Sequence, residues 1–220
     1  MPSQSCIGLD VGLKDFYTDS QGNTVDIPQY YRKAERGLNR VNRKKSKKFR
    51  KGKPQTNNYQ KARKRYALKH LKVSRQRKGF AVREALRVIQ SNDLVAYEDL
   101  KVKNMVRNRH LAKSINDAAW STFRRWLEYF GYKYEKITGA VPPHNTSQNC
   151  SNCGTKVTKS LSTRTHRCKC GCVLDRDHNA ALNILSLGLS TAGHAGTYAW
   201  GETASLLVGQ DLLTKAISVN

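Results

Sequence analysis

The chain has 220 residues, with 40 lysines and arginines against 16 acids and a formal charge of +24. That length allows one substantial core plus a small appended module, and the charge points to a polyanionic partner, nucleic acid before an anionic membrane surface. No apolar run is long enough to span a bilayer, and the opening Met-Pro-Ser-Gln-Ser-Cys has no signal pattern, so the expected setting is the cytoplasm, where thiols stay reduced, with no membrane partner.

Ser5 to Asp10 is a short apolar run ending in an acid. Lys14 to Ser20 resumes as a strand, Gln21-Gly22-Asn23 signals a turn, and Thr24 to Ile27 supplies a third strand. This predicts a meander whose first strand ends at Asp10. An aspartate in that place is ordinarily only a turn residue.

The composition then changes abruptly. Residues 32 to 78 hold 21 lysines and arginines and one acid, Glu35. Two helices are predicted, from Ala34 to Lys48 and from about Asn58 to Gln90, separated at Gly52-Lys53-Pro54. The result reads as a basic helical insertion over about residues 32–90. Arg40, Arg43, Lys44, Lys45, Lys47, Lys48, Arg50, Lys61, Arg63, Lys64 and Arg65 are its candidate phosphate-backbone contacts, which give affinity with little choice of sequence. The bland alternative is a solvated charged face.

Leu94-Val-Ala-Tyr97 is a buried-type strand that runs into Glu98, again an acid. Residues 101 to 112 read as a basic loop, and Ser114 or Asn116 can cap a helix reaching about Gly131. Ile115, Ala119, Phe123, Trp126, Leu127 and Phe130 recur on that helix at core-facing spacing. Tyr132 to Val141 is the next strand, and Pro142 to Gln148 links into a cysteine module.

That module has two knuckles, Cys150-x2-Cys153 and Cys168-x-Cys170-Gly171. Two pairs so separated suit a ribbon on one tetrahedral zinc whose four thiolates fill the coordination sphere, which makes the metal structural. Cys172 competes with Cys170 for the fourth position, and His166 is surplus to a four-sulphur site. Cys6, alone in an apolar strand, reads as a buried cysteine. Asp177 to Leu189 is then a helix; an acid at its start, Asp175 or Asp177, is commonly a cap. Ala204 to Val208 and Leu212 to Val219 are apolar stretches of a tail that has no assigned role.

Asp10 and Glu98 each end an apolar strand and Asp177 starts a helix. If those strands are neighbours, the three carboxylates meet and raise one another's pKa unless cations lie between them. Mg²⁺ or Mn²⁺, two in number, is the natural choice, because such ions serve phosphodiester hydrolysis. A second reading, a non-catalytic DNA- or RNA-binding accessory protein of a mobile element, gives no reason for these acids.

The segments GLDVGLKDF (8 to 16), VAYEDLKVKNM (95 to 105), LAKSINDAAWSTFRRWLEY (111 to 129), PPHNTSQNCSNCG (142 to 154) and CKCGCVLDRDHNAALNI (168 to 184) together resemble the OrfB/TnpB proteins of bacterial insertion sequences, compact relatives of the type V CRISPR nucleases. The resemblance implies an α/β chain with an RNase H-like (RuvC-like) nuclease core, a mixed five-stranded sheet flanked by helices, and a zinc ribbon inserted before the last helix. It implies a metal-dependent DNA endonuclease with a catalytic triad at Asp10, Glu98 and Asp177, with Asp175 as runner-up, and zinc on Cys150, Cys153, Cys168 and Cys170. DNA is the implied target and a guide RNA the implied partner of full-length members. The implied layout is nuclease core over residues 1–141, ribbon over 142–174, final core helix over 175–190 and tail over 191–220. Full-length members carry an additional N-terminal half that holds the guide; this chain is expected to lack it, and a separately encoded half is a candidate partner.

Overall fold

The computed structural model describes residues 5–160 and 162–196, the side chains of 193–196 excepted. The chain divides into two compact units. One is drawn from Met1–Asp26, Leu86–Leu100 and Leu127–Asn220, the other from Ile27–Ala85 and Lys101–Trp126.

The first unit is built on a five-stranded sheet. Its strands are β1 (Cys6–Asp10), β2 (Asp15–Asp19), β3 (Thr24–Asp26), β4 (Leu94–Glu98) and β5 (Ile137–Val141), in the order β3-β2-β1-β4-β5. The meander β1-β2-β3 is antiparallel, whereas β4 pairs parallel to β1 and β5 parallel to β4. Antiparallel neighbours need only tight turns; the parallel additions need long crossovers. The predicted mixed sheet flanked by helices is thus present, and the strands fall within a few residues of their sequence signals. The fifth is the exception. It begins at Ile137 rather than Tyr132, because the preceding helix runs on to Lys133 and the chain reverses through Glu135 at φ 54°.

Side chains alternate across a strand, so Cys6, Gly8 and Asp10 share one face, as do Leu94, Ala96 and Glu98. That face is covered by the last helix, α6 (Arg176–Gly196), which packs along β1, β4 and β5. Leu94, Ala96, Val141 and Ile184 form a buried cluster there, with Cys6, Leu185 and Ala192 against it. The seat is unusually close. A Cβ at Gly8 would collide with the carbonyl of Ala181 and come to 2.7 Å from the backbone nitrogen of Leu185, both on α6; one at Gly188 of α6 would run into the Cβ of Ala96 on β4. On the opposite face, the Tyr97 hydroxyl donates to Glu128 Oε1 at 2.9 Å.

Between β5 and α6 lies the ribbon, with β6 (Thr165–Arg167) antiparallel to β7 (Val173–Asp175). α6 begins immediately after β7 and continues to Gly196, seven residues beyond the predicted end at Leu189. The apolar stretches 204–208 and 212–219 lie outside the described residues.

The second unit holds the basic helices α1 (Tyr30–Ser46) and most of α2 (Asn57–Ser91), close to prediction. It also takes in residues 101–126, which form α3 (Val102–Met105), α4 (Arg109–Ala118) and the first half of α5 (Trp120–Lys133). The reading of 101–112 as a loop and of one helix from Ser114 is therefore corrected. Asn108 is the cap, accepting from the His110 amide at 3.0 Å, and Ala119 in the left-handed region at φ 60° separates α4 from α5. Ile115, Ala118, Trp120 and Phe123 are all buried around that break, so burial offsets the roughly 1–2 kcal/mol that the left-handed conformation costs an L-residue. Trp120 is thus a core residue. α1 has no side-chain cap of its own; instead the buried Asp117 of α4 accepts from the amides of Tyr31 at 2.8 Å and Arg32 at 3.1 Å. A carboxylate there satisfies two orphan donors and faces the positive end of the helix dipole.

The close seat of α6 makes a sharp prediction. Gly8→Ala places a methyl against helix backbone, which cannot swing aside as a side chain can. It should cost about 1–3 kcal/mol, measured by denaturant titration, whereas Gly139→Ala, at a site with open space and no left-handed backbone, should cost far less.

Candidate metal centre and carboxylate site

The four sulphurs of Cys150, Cys153, Cys168 and Cys170 lie within 4.8 Å of one another. Cys150 and Cys170 are 3.7 Å apart and Cys153 and Cys168 are 3.6 Å apart. A tetrahedral zinc with Zn–S bonds of about 2.3 Å sets its sulphurs about 3.8 Å from each other, so this cluster can hold a zinc ion. Both knuckles turn on a glycine with positive φ just after the second cysteine, Gly154 at 74° and Gly171 at 89°. The Gly154 amide donates back to the Cys150 carbonyl at 2.8 Å and the Gly171 amide to the Cys168 carbonyl at 3.1 Å. Cys170, not Cys172, is the fourth of the four mutually close thiols; Cys172 lies beside Cys150 just before β7. Hydrogen bonds from Thr155 pull the Cys153 thiol down to about 6. The neighbouring sulphurs and burial drive Cys168 up to about 12, although a backbone hydrogen bond from Cys170 works the other way. Four thiols so packed cannot all ionise without a cation among them. His166, expected to be surplus, is fully buried within the ribbon on β6, with Nδ1 2.8 Å from Lys159 Nζ.

Asp10 and Glu98 come together by register. In the β1/β4 pairing Gly8 sits beside Ala96 and Leu9 beside Tyr97, so the next residues on the two strands are Asp10 and Glu98. By alternation both point to the face that α6 covers. Asp177 lies in the first turn of α6. Burial, then the charges of Glu98 and Asp177, push Asp10 well above the usual carboxylate range, with Arg176 opposing. Burial also raises Glu98, partly offset by the Thr146 hydroxyl, which donates to Oε1 at 2.6 Å. The triad's oxygens do not all fall within 4.8 Å of one another; among the described residues only the cysteines do so. Asp177 is held by two arginines, Arg176 Nε at 2.9 Å and Arg164 at 3.1 Å.

Asp175, the runner-up for a catalytic role, caps α6, its Oδ1 accepting from the Asp177 amide at 2.8 Å. Arg164, Thr146, Asn179 and Asn183 were not singled out in the sequence. Asn179 and Asn183 stand four apart on a helix, which puts them on one face, but nothing local says what they reach. The candidate phosphate contacts Arg40, Arg43 and Lys44 lie on α1, Lys47, Lys48 and Arg50 on the link to α2, and Lys61, Arg63, Lys64 and Arg65 on α2, all exposed. Lys45 is half-buried, with Nζ 4.2 Å from the centre of the Tyr66 ring.

Two family models match the chain: that described as a probable transposase, OrfB_IS605, over residues 1–109, and that described as Cas12f1-like, TNB domain, over residues 120–184. A "Putative RNA-guided DNA endonuclease" of Streptomyces pristinaespiralis is 35% identical over 193 residues, covering 86% of this chain and 46% of the relative. The "Putative RNA-guided DNA endonuclease InsQ" of Escherichia coli K12 is 31% identical, with 88% and 50% covered. This chain thus spans about half the length of these relatives. Among solved structures, one titled as a cryo-EM structure of a Cas12f1–sgRNA–target DNA complex matches with a TM-score of 0.56 at 19% identity, covering 84% of this chain and 50% of that one. The sheet order and the final helix define a RuvC-like α/β fold. The chain belongs to the OrfB/TnpB family of insertion-sequence proteins. No described helix is long and apolar enough to cross a membrane.

Two predictions follow the geometry. Cys170→Ser should strip the purified protein of its zinc, while Cys172→Ser should keep one equivalent per chain, both read by elemental analysis. For Asp10 the sign runs with its raised pKa. The folded state holds the proton more tightly than the unfolded one, whose value is about 3.9, so stability is lost as pH rises from there through the folded value. In metal-free protein Asp10→Asn should match the wild type below about pH 4 and become progressively more stable than it toward neutral pH in thermal melts.

Proposed function

We propose that this chain is the nuclease portion of a TnpB-type, RNA-guided DNA endonuclease, hydrolysing phosphodiesters with divalent metal at Asp10, Glu98 and Asp177. The observation that carries the proposal is the placing of Asp10 beside Glu98 at the ends of adjacent parallel strands, under the helix whose first turn holds Asp177. Burying mutually repelling carboxylates costs stability, and a protein with only a binding role gains nothing from it. The donor set is all oxygen and of like charge, which fits Mg²⁺ or Mn²⁺.

Such ions would supply Lewis acidity at the scissile phosphate and lower the pKa of an attacking water. The chain's own residues do the rest. The two strands fix the spacing of Asp10 and Glu98, and α6 closes one side of the site and brings Asp177. The Arg164 and Arg176 guanidiniums ion-pair with Asp177 and fix where its carboxylate sits. The cysteine cluster carries one structural zinc and takes no part in the chemistry, since four sulphurs leave no open position. The exposed cations of α1, α2 and their link bind the phosphate backbone of DNA or of a guide RNA. Guide-directed targeting would require the further segment present in the longer relatives, whether on the same polypeptide or on a separate one.

The test is cleavage of single-stranded DNA by the purified protein in Mg²⁺ or Mn²⁺. Asp10→Ala and Glu98→Ala should each reduce the rate at least a hundredfold, since each removes a carboxylate that no neighbour replaces. A rate unchanged in both variants would remove the catalytic assignment.

A further inference from the structure

The ribbon's first knuckle is tied to α6 by side-chain hydrogen bonds. Asn179, fully buried, donates from Nδ2 to the Asn149 carbonyl at 2.8 Å and accepts the Ser151 amide on Oδ1 at 3.0 Å. It therefore clasps the backbone on both sides of Cys150. Asn183, one turn further along α6, donates to the same Asn149 carbonyl at 2.8 Å and to the Thr146 carbonyl at 2.7 Å. Thr146 is buried, and the chain enters it through Asn145 in the left-handed region at φ 59°. The Asn145 carbonyl in turn accepts the amides of Gln148 and Asn149. Thr146 is thus fixed on both sides, and its hydroxyl donates to Glu98 Oε1 at 2.6 Å.

We infer that Thr146 is a positioning residue for Glu98, and that the first zinc knuckle, clamped through Asn179 and Asn183, sets the grip of the carboxylate site on its divalent cation. This rests on the reading of Asp10, Glu98 and Asp177 as ligands. The physical logic is that of an outer-shell hydrogen bond. A glutamate at a strand end has three side-chain torsions, and a carboxylate free to swing loses entropy each time it takes up a cation. The Thr146 hydroxyl engages Oε1 and leaves Oε2 with no hydrogen bond from the described residues. A single helix carries Asp177, Asn179 and Asn183, so one rigid element aligns one carboxylate directly and a second through the ribbon. The zinc cluster acquires a role beyond holding a small module together: residues 146 to 151 link its first ligand to the carboxylate site.

The experiment uses Mn²⁺ as the probe, with affinity read by electron paramagnetic resonance of the free ion and zinc content measured on the same samples. Thr146→Val keeps the shape and removes the donor; Thr146→Ser keeps the donor. Thr146→Val should weaken Mn²⁺ binding about 10- to 100-fold, the range usual for loss of an outer-shell partner, while retaining one zinc. Thr146→Ser should restore affinity to within about threefold of the wild type, well inside that 10- to 100-fold range. Asn183→Ala, which releases the Thr146 carbonyl, should weaken binding in the same direction with zinc still present. Wild-type affinity in Thr146→Val, or an equal loss in Thr146→Ser, would overturn the inference while leaving the metal site standing. Failure of the wild type to bind Mn²⁺, or undiminished binding by Glu98→Gln, would instead overturn the functional reading and this inference with it.

Discussion

The first unit depends on the last helix lying directly against the strands, with nothing larger than a methyl between them. At Gly8 and Gly188 the last helix and the two central strands approach to a distance at which no side chain fits between them. Such contact gives dense packing from few atoms. It also fixes the helix in translation and rotation far more tightly than a layer of flexible side chains would. That matters because α6 is not only a cover. Its first turn bears Asp177, its next two turns bear the asparagines that hold the ribbon, and its apolar face bears Ile184 in the core cluster. A shift of one residue in its seat would misplace all of these together.

Around that seat, polar and charged groups are arranged at a cost. Burial opposes ionisation of both Asp10 and Glu98, and at Asp10 like charge adds to it; a fold selected for stability alone would place apolar residues there. The compensation is local and specific: arginines on Asp177, a hydroxyl on Glu98, an N-cap from Asp175. Each leaves the carboxylates near one another rather than separating them. The ribbon contributes two of these compensations, Arg164 and Thr146, which tie it to the core by side-chain contacts as well as by chain connectivity.

The helical unit follows a different logic. Its basic face has a single acid for 21 cations over residues 32–78, and self-repulsion on that scale opposes compaction. Its cohesion comes from few but well-placed partners: Asp117 on the amides that open α1, Lys113 with Glu35 at 2.6 Å, and Arg77 donating to the Asn116 carbonyl at 2.6 Å. All three involve residues 113 to 117, which is why a segment far along the chain belongs to this unit.

Much of this was legible without coordinates. Alternating apolar residues ending in Asp10 and Glu98, the abrupt change of charge at residue 32, and paired cysteines each carry a local signature, because strand period, helix period and metal chelation are short-range constraints. The chain alone therefore determined the strands, the basic helices and a cluster of thiols that can hold one metal. It could not decide between Cys170 and Cys172, since that turns on which sulphurs the folded ribbon brings together. Nor could it show the break at Ala119, the cap from Asp117, or the path from Cys150 to Glu98. The register that sets Asp10 beside Glu98 was likewise beyond it. Those features join groups distant along the chain, and their energy exists only once packing has brought both partners together and excluded water from between them.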